Sequence, residues 1–135
     1  MNRSVARELA FKLLYQIEIQ KEVNKEDIEL FFENNEINSI QAKEYINDIA
    51  NGINNNSKEI LENIAKNLKQ DWKIERVSKV NLALLKLAIY EMKYNELPYK
   101  VVINEVVELA KKFGEDTSAN FINGILANVV KDIEG

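Results

Sequence analysis

The chain contains no cysteine and no histidine among its 135 residues. These absences exclude disulfide bonds, thiol nucleophiles, zinc sites built from Cys and His, and the commonest general base of enzymes. Proline occurs once and glycine four times, so turn-rich sheet architectures are disfavoured. The composition favours a helical protein without the usual catalytic side chains.

Long apolar runs are also missing. No segment approaches the roughly 20 apolar residues that a membrane-spanning helix needs, and the N-terminal segment is interrupted by charge, unlike a signal peptide. We therefore expect a cytoplasmic protein. Its 46% hydrophobic and 30% charged residues are ordinary for a folded domain, and its net charge is −4. That acidic balance argues against nucleic acid binding unless basic side chains are locally concentrated.

Hydrophobic periodicity predicts an all-α fold. Apolar residues recur at i, i+3, i+4 and i+7 over residues 3–20, and the rhythm returns in later segments. Residues 54–57 are compatible with a bend in one helix or a break between two. We predict one domain over residues 1–135, a bundle of about seven helices in two subbundles. Residues that favour helix ends punctuate the chain at Asn24, Ser39, Ser57, Ser78, Pro98, Gly114, and Thr117 or Ser118.

The first helix carries a line of basic and aromatic residues. Arg3, Arg7, Phe11 and Tyr15 are spaced four residues apart, with Lys12 further round. Guanidinium groups bind phosphates and aromatic rings stack on unpaired bases, so this line is suited to single-stranded RNA. The alternative is that the arginines form surface ion pairs while the aromatic rings complete the core.

A second group of candidates surrounds the break before the last predicted helix. Lys111 and Lys112 are cations near a helix C-terminus, where the helix dipole favours them. Thr117, Ser118 and Asn120 are ordinary residues for a helix start. Free backbone N–H groups at such a start also bind phosphate oxygens, so capping and phosphate binding both stay open.

Other polar residues are interpreted as structural. No nucleophile, metal cluster or phosphate-binding glycine loop accompanies the carboxylates of residues 105–116, so we interpret them as surface charge and expect no enzymatic activity. Trp72 and Arg76 stand between the helical halves. We predict that Trp72 fills this junction and that Arg76 binds carbonyl groups or a carboxylate there.

Three segments together resemble the NusB family over essentially the whole chain. The first is RSVARELAFKLLYQ from Arg3, and the second is WKIERVSKVNLALLKLAIYEM from Trp72. The most specific is PYKVVINEVVELAKKFGEDTSANFINGIL from Pro98 to Leu126. Its ordered INE, ELAK and FxNG elements are hard to meet by chance.

The resemblance implies a binding role. Members pair with the small-subunit ribosomal protein that doubles as NusE, and the pair recognises single-stranded boxA RNA, notably in ribosomal RNA leaders. The pair then joins the antitermination complex on RNA polymerase. No cofactor is implied. A homodimer is a further expectation when the partner is absent, because an exposed apolar groove favours self-association.

Matching positions carry the family's roles onto this sequence. The partner-binding residues would be Tyr15, Arg76, Asn81 and Lys86. Asn104 and Asn123 are interpreted as buried structural amides. Together with the cations Lys12 and Lys112, the RNA-binding residues would be Arg3, Arg7, Tyr15, Thr117, Ser118, Asn120 and Phe121.

The sequence also departs from the family pattern. Many members carry Arg or Lys where this chain has Ser4 and Val5, and often Lys where it has Asn120. Asn81 replaces a usual acid, Lys86 a usual Arg, and Thr117 an Asp that is often present. Fewer phosphate-neutralising side chains predict weaker RNA binding and a smaller salt dependence, so we expect the partner to supply part of the RNA surface.

Two competing interpretations follow from these departures and from the fold. In the first, the chain is a helical protein-interaction module with little or no intrinsic RNA binding, as the net charge of −4 favours. In the second, it belongs to ribosomal RNA cytosine methyltransferases, some of which carry a similar N-terminal domain. Their catalytic part needs cysteine, which this chain lacks, so we expect the second interpretation to fail.

Overall fold

The computed structural model describes all 135 residues and contains helices but no strands. A 3-10 turn at Ile74–Arg76 precedes the fifth α-helix, and a π-helical turn at Tyr90–Tyr94 follows it. None of the helices combines the length and the apolar character that crossing a membrane requires. The prediction of an all-α fold of about seven helices is confirmed. In chain order they are α1 Arg3–Gln20, α2 Lys25–Asn34, α3 Ile40–Asn55, α4 Ser57–Lys66, α5 Lys79–Ile89, α6 Tyr99–Phe113 and α7 Ser118–Glu134.

Short polar side chains fix three of the predicted helix starts. The Asn24 side chain accepts the N–H of Asp27, and the Asp27 carboxylate accepts the N–H of Asn24, each at 2.9 Å. This reciprocal pair satisfies two N–H groups that the first turn of α2 leaves free. Ser39 and Ser78 likewise accept the N–H three residues further on, at the starts of α3 and α5.

The stretch of asparagines between α3 and α4 breaks the chain into two helices. Asn56 ends α3 and precedes α4, and its side chain donates back to the carbonyl of Gly52 at 2.8 Å. Ser57 is already the first residue of α4, so the prediction that Ser57 caps this helix is wrong. This hydrogen bond from the Asn56 side chain to a backbone carbonyl favours the end of α3 at this junction.

Helix α5 lies at the centre of the molecule. It packs against α1, α3, α4, α6 and α7, and the side chains of Leu84, Leu85 and Leu87 are fully buried. Burying each leucine stabilises the fold by about 1.5–3 kcal/mol. Helix α1 packs on α3, and α6 packs on α7, with α5 contacting both pairs. The two expected subbundles therefore share one continuous core.

The π-helical turn after α5 brings two polar residues into the core. Glu91 is fully buried and Tyr90 is nearly so. The ring of Tyr90 lies so close to α3 that a Cβ atom on Gly52 would be 2.2 Å from it, which explains the glycine there. The Tyr90 hydroxyl donates to Asp48 at 3.1 Å. The wide turn thus joins α5 to α3 and points Glu91 towards α1.

Candidate nucleic-acid interface

Arg7, predicted to contact RNA, lies in the core. Its side chain is 3% exposed, and Nε and Nη2 donate to the two carboxylate oxygens of Glu91 at 2.6 and 3.2 Å. Nη1 donates to Glu105 at 2.8 Å. Burial alone lowers the pKa of Arg7, but the hydrogen bonds and negative charge of Glu91 raise it above its ordinary value. These carboxylates enclose and satisfy the guanidinium, so Arg7 is not accessible to a phosphate in this structure, and its RNA contact stays a prediction.

Of the other residues in the basic and aromatic line on α1, Phe11 turns inward and Arg3 lies against α3. Phe11 is 3% exposed, which confirms the alternative interpretation that the aromatic ring completes the core. Arg3 stays exposed, but its guanidinium lies 4.3 Å from the centroid of the Tyr45 ring. Burial raises the pKa of Tyr45 together with the charge of Glu91, whose carboxylate accepts its hydroxyl at 3.0 Å. The N-terminal turns of α1 are therefore tied to α3, not presented as one RNA-binding strip.

Glu8, Lys12, Lys112 and Phe113 form a compact group where α1 meets the end of α6, which we call the Phe113 cluster. The ammonium groups of Lys12 and Lys112 lie 5.6 and 5.2 Å from the centroid of the Phe113 ring. Lys12 remains 42% exposed and Lys112 61% exposed. Tyr15 lies beside Lys12 in the adjoining cleft between α1 and α2. Two accessible cations beside an aromatic ring can bind a phosphate and an unpaired base together.

Glu8 holds both cations of the Phe113 cluster in place. Its carboxylate accepts a hydrogen bond from Lys112 at 2.8 Å and lies 3.6 Å from the ammonium of Lys12. The hydrogen bond from Lys112 lowers the pKa of Glu8, a shift that burial opposes and the positive charges of both lysines reinforce. A phosphate that binds either lysine must therefore compete with this carboxylate.

The start of α7 divides its predicted RNA-binding residues into exposed and buried ones. Thr117 precedes the helix, is exposed, and makes no side-chain capping bond. Asn120 is exposed and Phe121 is half-buried in the first turn. Ser118, by contrast, is 1% exposed, and its hydroxyl oxygen accepts the N–H of Glu115 at 3.0 Å. This hydroxyl closes the turn between α6 and α7, so Ser118 is engaged within the fold and its RNA contact stays a prediction.

Trp72 does not fill the junction between the helical halves. It is 47% exposed, and its ring lies 6.1 Å from that of Phe121, with the ring planes inclined by 36°. Arg76 is exposed on the 3-10 turn, and its side chain forms no hydrogen bond or ion pair. Both structural predictions are wrong, because the connection between α4 and α5 runs along the surface.

The four predicted partner-binding residues lie on separate features. Lys86 is paired with the nearly buried Glu18 and lines an open groove of about 570 Å³ whose walls are mostly apolar. Asn81 lies in the first turn of α5, and its Oδ1 atom is enclosed without a hydrogen-bond partner. Arg76 precedes it, while Tyr15 lies in the cleft between α1 and α2. Of the four, only Lys86 lines the groove.

Asn104 and Asn123 are exposed on α6 and α7, so the prediction that they are buried structural amides is wrong. Neither side chain makes an intramolecular hydrogen bond. Each therefore presents an amide that both donates and accepts on the molecular surface. The family-like motifs around them are thus not explained by packing alone.

The sequence did not predict that two aromatic rings near the predicted RNA surface, those of Phe113 and Trp72, are accessible. Periodicity places Phe113 on the core face of its helix, yet the ring is only half-buried. The adjacent Lys112 and the Gly114 that ends the helix are the signals of a position at the edge of the bundle. For Trp72, the loss of helical periodicity around it is the available signal that no helix face packs over this ring.

Comparison with known proteins identifies the family to which this chain is similar. The model of the NusB family matches residues 4–131. The chain is 47% identical to the transcription antitermination protein NusB of Acetivibrio thermocellus over 97% of this chain and 90% of that protein. It is 43% identical to the NusB of Clostridium novyi over 97% and 99% of the two chains.

Solved structures agree with the sequence comparison. Thermotoga maritima NusB has a TM-score of 0.87 at 31% identity, covering 98% of this chain and 92% of that one. The NusB chain in a crystal structure of antitermination factors NusB and NusE with double-stranded RNA has a TM-score of 0.87 at 27% identity, covering 96% of each chain. The chain therefore belongs to the NusB family.

Proposed function

We propose that this protein is a transcription antitermination factor that binds single-stranded, boxA-type RNA together with the ribosomal protein NusE. The resulting pair joins the antitermination complex on RNA polymerase during ribosomal RNA transcription. Full-length similarity to transcription antitermination proteins supports the role. The structural neighbour solved with NusE and RNA supports both partners.

The Phe113 cluster is the observation that carries RNA binding in this chain. Lys12 and Lys112 lie on the ring of Phe113 and keep exposed ammonium groups. We assign Thr117, Asn120 and Phe121 at the start of α7, and Arg3 and Tyr15 on α1, to the same RNA surface. The neighbour's RNA is double-stranded, whereas the accessible aromatic rings of this surface favour unpaired bases.

The partner surface is proposed along α5, between Arg76, which precedes the helix, and Lys86 in its last turn. Arg76 is exposed with an uncommitted guanidinium, and interface anchors are enriched in arginine. Lys86 borders an apolar groove into which a partner side chain fits. We assign supporting contacts to Asn81, in the first turn of α5, and to Tyr15, in the cleft between α1 and α2.

The proposed activity is binding, without catalysis. Relatives are transcription factors by name, and the role needs recognition of RNA and protein only. Because bacterial transcription takes place in the cytoplasm, we place the protein there.

The test is an anisotropy titration of labelled boxA-type RNA, with and without NusE. Lys12→Ala combined with Lys112→Ala should weaken binding and lower the salt slope by about 0.7 for each phosphate that the variant no longer neutralises. Lys25→Ala combined with Lys58→Ala removes the same charge from exposed sites on other helices and should leave both quantities nearly unchanged. Equal effects of the two double variants would refute the assignment of the Phe113 cluster.

One observation favours a second candidate function, a protein-interaction module with little intrinsic RNA binding. Glu8 is shared by both lysines of the Phe113 cluster, and Arg7 is enclosed by two carboxylates. Few cations are left free for phosphates. This candidate predicts co-elution with NusE on a sizing column and no RNA retention even in the three-component mixture.

A further inference from the structure

Trp72 is an exposed tryptophan beside a second aromatic ring. It lies on the connection between α4 and α5, with 47% of its surface exposed, and its ring centroid is 6.1 Å from that of Phe121 on α7. An exposed tryptophan leaves a large apolar face in water, where its burial by a ligand is favourable. Phe121 already belongs to the RNA surface of the proposed function, so Trp72 extends that surface.

A cleft of about 470 Å³ opens next to these two rings, between the α4–α5 connection and α7. Its polar lining includes the exposed amides of Asn120 and Asn128 and the ammonium of Lys69. Amides both donate and accept hydrogen bonds, as the edges of nucleobases do, and an ammonium suits a phosphate. Asp132 lies near this cleft through its bond to Asn67, but its carboxylate is also paired with Lys66 at 3.4 Å, which reduces its repulsion of an anion.

Gly124 gives an independent indication that a ligand approaches here. It lies in the interior of α7 and lines the cleft. Glycine destabilises a helix interior relative to alanine, yet a Cβ atom at this position would meet nothing within 4 Å. The fold itself therefore does not need glycine at residue 124. A flat molecule that lies against the α7 backbone does need it, because a side chain there would hold the molecule away.

We propose that this cleft binds one unpaired base of the RNA, which stacks on Trp72 and presents its edge to the amides of α7. The inference rests on the proposed function, because the base belongs to the same RNA that contacts the Phe113 cluster. Stacking on an aromatic face tolerates any base, while the amides select among base edges. The cleft thus adds a nucleotide beyond those that the charged surface alone would hold.

The protein contains its own probe for this proposal. Trp72 is the only tryptophan, so intrinsic fluorescence reports on the cleft without labelling. Adding boxA-type RNA, extended by unpaired nucleotides at both ends, should quench this emission. Trp72→Phe, titrated in parallel with NusE present, serves as the blank for any tryptophan of the partner. Quenching by NusE alone, without RNA, would mean that a protein occupies the cleft and would overturn the proposal.

Measurements of RNA affinity identify which nucleotide stacks on Trp72. Trp72→Ala should weaken RNA binding by about 5- to 150-fold, the range for loss of one base stack, and Trp72→Phe should retain most of the affinity. Ile40→Ala removes another exposed apolar side chain, 73% exposed at the start of α3, and should have no effect. Replacing nucleotides one at a time by abasic ones should reveal a position that matters in the wild type and no longer matters in Trp72→Ala.

Gly124 supplies a variant that cannot be explained by misfolding. Gly124→Ala should raise the melting temperature by about 2–6 °C, as alanine does in a helix interior, and nevertheless weaken RNA binding. Stronger or unchanged RNA binding by this variant would overturn the close approach to α7. Wild-type RNA binding that Trp72→Ala leaves intact, with no quenching, would overturn the cleft alone. Absence of any RNA binding by the wild type would overturn both the cleft and the proposed function.

Discussion

Arg7 and Glu91 form a two-point ion pair in the core although they are 84 residues apart in sequence. Nε of Arg7 lies 2.6 Å from one carboxylate oxygen of Glu91, and Nη2 lies 3.2 Å from the other. Tyr45 and Glu105 complete the network by bonding to the carboxylate and to the guanidinium. Four elements, α1, α3, the π-helical turn and α6, are therefore joined through one buried cation.

The first prediction concerns the stability that depends on this cation. Arg7→Met should lower the free energy of unfolding by about 3–5 kcal/mol, because it leaves the buried carboxylate of Glu91 without its counter-charge. Urea unfolding followed by circular dichroism measures the loss. Arg3→Met, on the same helix, removes only an exposed contact with Tyr45 and should cost less than about 1 kcal/mol. Similar losses for both variants would show that the buried pair contributes no more to the free energy of unfolding than the exposed contact of Arg3.

A consequence for RNA binding follows from the same pair. Any loss of RNA affinity in an Arg7 variant should track the loss of folded protein and should disappear when concentrations are corrected for the folded fraction. A direct phosphate contact would instead lower the affinity of fully folded protein. The two cases separate when RNA binding and unfolding are measured on the same variant.

The second prediction is that Glu8 restrains RNA binding. Glu8→Gln removes the carboxylate that both Lys12 and Lys112 contact, which leaves two cations free to meet phosphates. We expect tighter RNA binding and a steeper salt dependence, since each additional phosphate contact adds about 0.7 to the slope for a single strand. Anisotropy titrations at several salt concentrations measure both. Glu62→Gln, an exposed acid on α4, provides the matched change in net charge, and equal gains in both variants would contradict the local effect.

The third prediction concerns acid stability at the same carboxylate. The hydrogen bond from Lys112 lowers the pKa of Glu8 below its ordinary 4.5 in the folded state. The unfolded chain therefore binds more protons in this range, so the stabilisation is present above pH 4.5 and is lost as the pH falls through the folded-state pKa. For an ion pair at the surface the effect is at most about 1 kcal/mol.

Melting temperatures measured from neutral pH downwards test this prediction. The difference between wild type and Glu8→Gln should be largest near neutrality and should shrink below about pH 4.5. Lys112→Met should show the same convergence, because it removes the partner of the carboxylate. A difference that stays constant with pH would show that the pair does not stabilise the fold.

The helix starts depend on residues that are close in sequence, so they could be predicted. The accessibility of the site residues depends on contacts with distant elements. Asn24, Ser39 and Ser78 cap helices by bonding to residues three positions away, so their neighbours in sequence are sufficient to recognise them. Arg7 differs because its partners, Glu91 and Glu105, come from other elements. Helical periodicity places Arg7 on the same line of α1 as Phe11, but it cannot show that carboxylates from other elements enclose the guanidinium there.

Exposure was the second property that sequence could not supply. Periodicity assigns a residue to a helix face, but whether another element covers that face depends on the path of the connections. Trp72 stays exposed because the α4–α5 connection follows the surface, and Ser118 is buried because the α6–α7 turn folds over it. Neither path can be deduced from the residues next to Trp72 or Ser118 in the chain.

The fourth prediction tests the close approach of Tyr90 to α3. Gly52→Ala places a Cβ atom 2.2 Å from the Tyr90 ring, so the ring or the helix must move. The free energy of unfolding should fall by about 1–3 kcal/mol, as in other overpacked cores. Thermal and urea unfolding measure the loss. Gly124→Ala is the matched control, since the same added methyl meets open space there and should stabilise the fold.

The last prediction concerns the partner surface. Arg76→Ala should weaken binding of NusE by about fivefold or more, because an exposed arginine with no intramolecular partner is free to act as an interface anchor. Its stability should change by less than about 0.5 kcal/mol, since the Arg76 side chain bonds to nothing else within the protein. Calorimetric titration with NusE in the absence of RNA measures the affinity, and Lys58→Ala on α4 controls for the removal of one positive charge. If Arg76→Ala binds NusE like wild type while Lys86→Ala does not, the partner occupies the apolar groove beside Lys86 without using Arg76 as an anchor.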